Sequence, residues 1–406
     1  MNNRIVESFS RLQKYCEAAD FKGWDPYDGL NSRIFNAVPL LNKSALCRLI
    51  MIQFFKLSPV NLRRLAIISK DYNPKGIALF LSGYCNLYEA VSLDPTLQPY
   101  FGKPEQLLDK IDYLARLLID IRSKGDYHGA CWGYEFGWQS IAFYLPAYTP
   151  TVVATAFAAD ALLRAYQITG RSEYLNIALS SEKFILEDLN RISKPDGFMF
   201  SYSPLDKHAV YNATLLGSKT LTKIYKYKND DKLLNQITRS VQPVVSLQNP
   251  DGSFPHSDQI GNKWRDNFHT GFKLESLVCC NRILCDEAVE KAIEKGYSHW
   301  ISNFFNKETG IALYYENDSI NSTVDLHCVA QAIPTLYHLD KLGKELPLLE
   351  KAISWAIDNM QSSDGAFYFR KKGNLLNKIK YMRWPNAWMF YGISFYLKYI
   401  SENGEN

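Results

Sequence analysis

The chain has 406 residues, a net charge of +4, and 47% hydrophobic against 22% charged residues. That composition is globular and excludes a disordered chain. So small a charge, with no long Lys/Arg run, excludes nucleic acid as a partner. No window approaches 18 uncharged apolar residues, so no membrane-spanning protein is expected. The N-terminus reads Met1-Asn2-Asn3-Arg4-Ile5-Val6-Glu7 and lacks the apolar stretch of a signal peptide. The eight cysteines lack paired metal spacings such as C-x-x-C. Together these features predict a cytoplasmic protein with reduced, buried cysteines, no metal and no cofactor.

Aromatic residues reach 14%, with 26 Tyr, 22 Phe and 8 Trp. They serve either a large core or a cleft that binds rings, such as sugars. Along the chain, helical patterns occupy 6–19 and 44–56, flanking the polar run Asp25-Pro26-Tyr27-Asp28-Gly29-Leu30-Asn31. From residue 130 one plan repeats: a glycine turn, an apolar helix, a short break, then an amphipathic helix. The turn glycines fall at 133, 197, 252, 310 and 365, in steps of 64, 55, 58 and 55. Two helices of about 15–20 residues plus two loops fill such a period. Apolar inner helices are predicted to begin near 75, 151, 212, 268, 325 and 386, and outer helices near 105, 172, 231, 287 and 346. The sixth inner helix lacks a following partner, and residues 1–60 can supply it by closing against 386–401. The expectation is one all-α domain over 1–406, an (α/α)6 toroid of six helical hairpins; an open solenoid is the alternative.

In such a ring the loops entering the inner helices converge on one end of a central cavity. The polar and aromatic residues gather in those loops. Trp132, Tyr134, Glu135, Trp138 and Gln139 precede the second inner helix, and Tyr202, Asp206, His208 and Asn212 the third. Asp266, Asn267 and His269 open the fourth; Asp325, His327 and Gln331 the fifth; Tyr381, Arg383, Trp384 and Trp388 the sixth. Asp266-Asn267-x-His269 and Asp325-x-His327 recur 58 residues apart. An acid beside a histidine orients the ring for acid–base work; an acid at a helix start also simply caps it. Candidate catalytic residues are therefore His269, His327, Asp266, Asp325, Tyr202 and Asp206. Candidate substrate-binding residues are Trp132, Trp138, Gln139, Asn212, Asn267, Gln331, Arg383, Trp384 and Trp388. Two basic groups, Arg370-Lys371-Lys372 and Lys378-Lys380-Arg383, are either solvated loops or a rim that attracts an anion.

Several longer strings add a resemblance. They include GWDPYDGLNS at 23–32, NPKGIALFL at 73–81, FGWQS at 136–140, TPTVVAT at 149–155 and FSYSPLD at 200–206. DNFHTGF at 266–272, DLHCVAQAI at 325–333 and YMRWPNAWMF at 381–390 complete the set. Together they resemble a family of bacterial polysaccharide-biosynthesis proteins found near capsule and exopolysaccharide genes. The resemblance runs from about residue 20 to 400. It implies the six-hairpin toroid shared by glycosidases, uronate-polymer lyases and terpenoid cyclases, and a glycan partner, free or lipid-linked; no site residues carry over.

Three functions stay open. A lyase or epimerase would use His269, His327 or Tyr202 as base and acid, with Asn212, Asn267 or Arg383 on a carboxylate. A glycoside hydrolase would use two carboxylates among Glu135, Asp206, Asp266 and Asp325. A non-catalytic glycan-binding or scaffold protein would use the same cavity. A terpenoid cyclase is a weaker fit. The turns Gln248-x-x-Asp251-Gly252-x-Phe254 and Gln361-x-x-Asp364-Gly365-x-Phe367 faintly match cyclase repeats, but a D-x-D-D acid motif is missing.

Overall fold

The structure, a computed structural model, describes residues 2–140, 143–257, 264–316 and 323–404. Six inner helices span Pro74–Leu93, Val152–Thr169, Tyr211–Lys228, Asn267–Leu284, Leu326–His338 and Trp388–Asn403. Each packs on the next, and the sixth returns to the first. Five outer helices follow at Pro104–Asp120, Ser172–Lys183, Asp231–Ser246, Glu287–Asn303 and Leu342–Met360. Helix Asn3–Ala18 lies against the sixth inner helix and against Leu342–Met360, in the sixth outer place. The fold is an (α/α)6 toroid.

Local chemistry explains the helix starts. Asn73, Thr151, Asp266 and Asp325 accept hydrogen bonds from the backbone N–H groups of Gly76, Ala154, His269 and His327. Each cap satisfies a first-turn donor that the helix leaves without a partner. The inner helices are buried on most sides. The outer ones bury one stripe, as with Leu107, Ile111, Leu114 and Leu118 of Pro104–Asp120.

A single contact repeats around the ring. A Cβ on Gly252 would collide with the carbonyl oxygen of Lys295, in the next outer helix. Gly197 meets Arg239 and Gly310 meets Lys351 and Ala352 in the same way. Gly252 and Gly365 also hold φ of 87° and 93°, where a side chain is disfavoured. Gln248 donates through Nε2 to its own turn's Gly252 carbonyl and to Ala292 of the next outer helix, both at 2.9 Å. Gln361 does the same with Gly365 at 2.9 Å and Ser8 at 3.0 Å. Gly365 itself abuts the backbone of Arg11. The rule that joins each turn to the following outer helix thus joins the last turn to the first helix of the chain. The Q-x-x-D-G-x-F strings are structural clips, with Phe254 and Phe367 fully buried.

Inside this seam Phe9 meets Phe390 at 4.8 Å and Phe80 meets Phe390 at 5.3 Å, while Asn86 donates to Ser394 at 3.1 Å. The second N-terminal helix, Ala45–Leu57, buries Ile52 and Phe55 and takes no outer position. It covers the loop end of the barrel, against the 28–31 turn and the short strand Trp138–Gln139. Half of the cations in the two basic groups are paired. Arg370 binds Asp325, Lys380 binds Asp364 and Arg383 binds Asp25.

If the seam carries the whole ring, its loss is felt everywhere. Phe9→Ala should lower stability by about 3–5 kcal/mol in one cooperative denaturant transition. Removal of residues 1–60 should abolish that transition. A truncated chain that melts as sharply and as high as the full chain would exclude the seam as the closing element.

Candidate active site

The loop end of the ring gathers a histidine and aromatic cluster. Asp266, fully buried, caps the fourth inner helix through Oδ1 and holds His269 Nδ1 through Oδ2 at 2.6 Å. In that bond the ring Nδ1–H donates to the carboxylate, which leaves Nε2 as the basic nitrogen. The His269 side chain is 21% exposed. Its ring neighbours are His256 at 4.9 Å, Trp264 at 5.7 Å and Phe268 at 4.3 Å. Trp264 stacks on His256 at 4.0 Å and is itself exposed, so these rings form the outer lip.

His327 lies deeper, on the far side of Phe268. It is sandwiched between Phe268 at 4.0 Å and Trp388 at 3.9 Å. Neither of its nitrogens has a hydrogen-bond partner among the described residues, and the same holds for Trp388 Nε1, Gln331 Oε1, Asn212 Oδ1 and His256 Nδ1. Burial, followed by the charge on Lys75, holds His327 well below the usual histidine range. The two histidines, 58 residues apart in the repeat, do not meet: Phe268 separates them, and His327 is enclosed.

Lys75 is a further member that sequence reasoning passed over. Its Nζ lies 4.3 Å from the Phe157 ring and 5.0 Å from those of Phe272 and Trp388. Burial, then Arg383, lowers its pKa well below the ordinary lysine value. A lysine at the second position of an apolar helix, facing the positive end of the dipole, was the available signal.

The other predicted residues are mostly committed to structure. Asp325 accepts from His327 N–H, from Arg370 and from the Trp384 indole at 2.8 Å. Asp206 accepts from the backbone of Tyr202, Ser203 and His208, fixing its own loop. Asn267 is held by Trp300 and the Leu313 carbonyl, and Gln139 by Arg48 and Phe143. Trp132 is fully buried and donates to the Leu118 carbonyl, away from the mouth. Trp138 packs on Phe143 and Tyr202. Tyr202 shares a hydrogen bond with Tyr134, and burial followed by Tyr134 raises its hydroxyl pKa well above the usual value. Arg383 sits in the π-helical turn Met382–Ala387 and clamps Asp25 through two bonds, at 2.5 and 2.8 Å. Nearby Glu135 accepts from Asn73 at 2.6 Å, and burial, then Asp25, raises its pKa well above the carboxylate range.

Further along the bore, a charged belt crosses all six inner helices. Lys219 pairs with Glu275 and lies 3.7 Å from Asp160; Lys223 also pairs with Asp160. Gln331 donates to Glu275 at 2.9 Å, Arg164 pairs with Glu89 at 2.6 Å, and Lys398 also pairs with Glu89. Burial raises the Asp160 carboxyl, but Lys223 and Lys219 outweigh it and hold the acid low. The spaces lined by Phe157, Asp160 and Lys219, and by Asp25, Glu135 and Arg383, are about 10 Å³ each. Each has room for about one water. These two spaces are far smaller than the open, aromatic-lined cavity the sequence predicts. A larger groove of about 770 Å³ lies between the N-terminal helix and 357–363, remote from these groups. Among the described residues no three His, Cys, Asp or Glu side chains converge as metal donors.

With this geometry in hand, the chain can be set beside known proteins. No family model matches it. No curated protein matches its sequence significantly. Solved structures do match in fold. A cellobiose 2-epimerase from Bacillus thermoamylovorans aligns at 15% identity with a TM-score of 0.58, over 81% of this chain and 90% of that one. A family 76 α-mannanase of Bacteroides thetaiotaomicron aligns at 14% identity and 0.56, over 79% and 86%. A polysaccharide lyase aligns at 15% identity and 0.53, over 81% and 92%. All three share the toroid.

Three histidines with lowered pKa set a pH dependence. Burial, followed by neighbouring cations, lowers His256 to about 2; burial also brings His338 to about 3, and His327 is likewise lowered. A free histidine titrates near 6.5. Below that value the unfolded chain binds more protons than the folded one, so stability falls as pH drops from about 6.5. Each such histidine contributes up to about 1.4 kcal/mol per pH unit. His327→Asn should reduce the slope by about one proton between roughly pH 6.5 and 5. Chemical denaturation across that window reads it directly.

Proposed function

We propose that this chain acts on a glycan by proton transfer of the epimerase or lyase type, in polysaccharide assembly in the cytoplasm. The observation that carries the reading is the Asp266-oriented His269, with its ring exposed beside Trp264 at the lip. A base so held removes a proton from a carbon next to a carbonyl or carboxylate, and an acid returns one. The fold likeness to a cellobiose 2-epimerase and a polysaccharide lyase supports this choice. The two-carboxylate hydrolase receives less support, because Asp206, Asp266, Asp325 and Glu135 are each engaged in hydrogen bonds. Arg383, reserved in the sequence reading for a uronate carboxylate, is bidentate on Asp25. That commitment favours the epimerase form, on a neutral sugar, over lyase chemistry on a uronate.

A second reading, non-catalytic glycan binding, draws on the small size of these two spaces, about 10 Å³ each. Exchange chemistry separates the two. Wild-type protein incubated in D₂O with neutral and acidic oligosaccharides should introduce deuterium at a sugar carbon, read by NMR. His269→Ala should lower that rate by about 10²–10⁴-fold, with the thermal midpoint nearly unchanged. Binding without any deuterium incorporation would establish the non-catalytic reading. Loss of stability without loss of exchange in His269→Ala would remove His269 from the chemistry.

A further inference from the structure

We propose that the loop-end face built by residues 33–67 docks on an anionic lipid bilayer. Residues 29–70 contain seven of the chain's 46 cations and none of its 42 acids, and six of the seven remain once Arg63, buried against Asp28, is set aside; the rest carries 39 cations against those 42 acids. The local charge is thus the reverse of the remainder. On the same segment large apolar side chains stand in solvent. Leu40 is 84% exposed, Leu57 69% and Leu65 75%, and Leu46, Ile50 and Phe54 are more than half exposed.

Their order is regular. Leu46, Ile50, Phe54 and Leu57 form one stripe of helix Ala45–Leu57, while Ile52 and Phe55 anchor the opposite side to the barrel. A soluble monomer seldom shows so much contiguous apolar surface unless something covers it. Exposed Arg33, Lys43 and Arg64 border the stripe and form no ion pair among the described residues. The patch continues past this helix. Asn377 donates to the Ser58 carbonyl at 3.1 Å, which ties the hairpin of strands Arg370–Lys372 and Leu375–Asn377 to it. The hairpin adds Leu375, 78% exposed, and Lys372.

Charge selects the occupant. A second copy of this face would set cations against cations, which opposes self-association. A bilayer carrying phosphate headgroups complements the cations and receives the apolar side chains. The helix has 13 residues, too short to cross a bilayer, so it lies in the plane of the interface. The face adjoins the candidate site. Arg63 reaches the Asp25 carbonyl at 2.7 Å, and Asp25 is the partner of Arg383. Docking therefore turns the loop end of the ring toward the membrane surface. This inference does not rest on the catalytic reading.

Flotation of the full chain with vesicles tests it. Binding should be strong to mixed phosphatidylglycerol–phosphatidylcholine vesicles, and at least about tenfold weaker to phosphatidylcholine alone or in high salt. A variant with Leu46→Gln, Ile50→Gln, Phe54→Gln and Leu57→Gln should lose about tenfold or more. Lys43→Glu with Arg64→Glu, both exposed and remote from the core, should lose a similar factor while melting as the wild type does. No flotation with anionic vesicles at low salt would overturn the proposal, as would equal binding by the charge-reversed variant. A wild-type dimer in sedimentation that the apolar variant converts to monomer would assign the face to a second copy instead.

Discussion

The ring depends on the contact of the Gly197, Gly252, Gly310 and Gly365 turns with a neighbouring outer helix; at the first turn Gly129, not Gly133, makes it, against Ser180. The turn must lie directly on a helix backbone, so a side chain there has no room, and all four of these glycines also hold positive φ. Where glutamine precedes the turn, its amide bridges the turn carbonyl to the neighbouring helix, as Gln248 and Gln361 do. Radius and tilt follow from repeating this spacing. Because Gly365 and Gln361 engage Arg11 and Ser8, the same geometry that propagates the ring also ends it.

Once the turns fix the outer layer, the inner helices begin in a crowded interior where donors need partners. Asp266 and Asp325 supply them as caps, and this accounts for their place in the repeat. The two then diverge. Asp266 keeps a second oxygen for His269, whereas Asp325 gives its remaining capacity to Arg370 and Trp384. Equivalent positions in adjacent repeats thus hold one oriented, accessible histidine and one enclosed between rings. The charged belt below them links glutamate, lysine, arginine and aspartate across every inner helix. Buried pairs of this kind contribute little net stability but are costly to break singly, so they constrain register.

What the sequence made legible was local. Glycine turns, helix caps and the contrast between apolar and amphipathic helices place the inner starts within two residues of 74, 152, 211, 267, 326 and 388. What it hid was reach. Trp132 sits in a loop of the right register, yet its indole turns back to Leu118, fourteen residues earlier. Lys219 and Glu275 look like ordinary helix surface in a linear reading, and only the closed ring brings them together in its bore. His256 and Trp264 flank the fourth inner helix without any repeat to mark them, and their role at the lip appears only through stacking on each other.

The closing seam also bears on how the chain is made. Ser8 and Gln361 are 353 positions apart, so their bond cannot form until the chain through Gln361 has emerged from the ribosome. Until then the helix Asn3–Ala18 presents Ile5, Val6, Phe9 and Leu12, all buried in the finished ring, to solvent. Contacts of such long separation form late, and exposed apolar faces invite aggregation in the interval. Helix Asn3–Ala18 is therefore among the last elements of the ring to dock, although it precedes every inner helix in the chain.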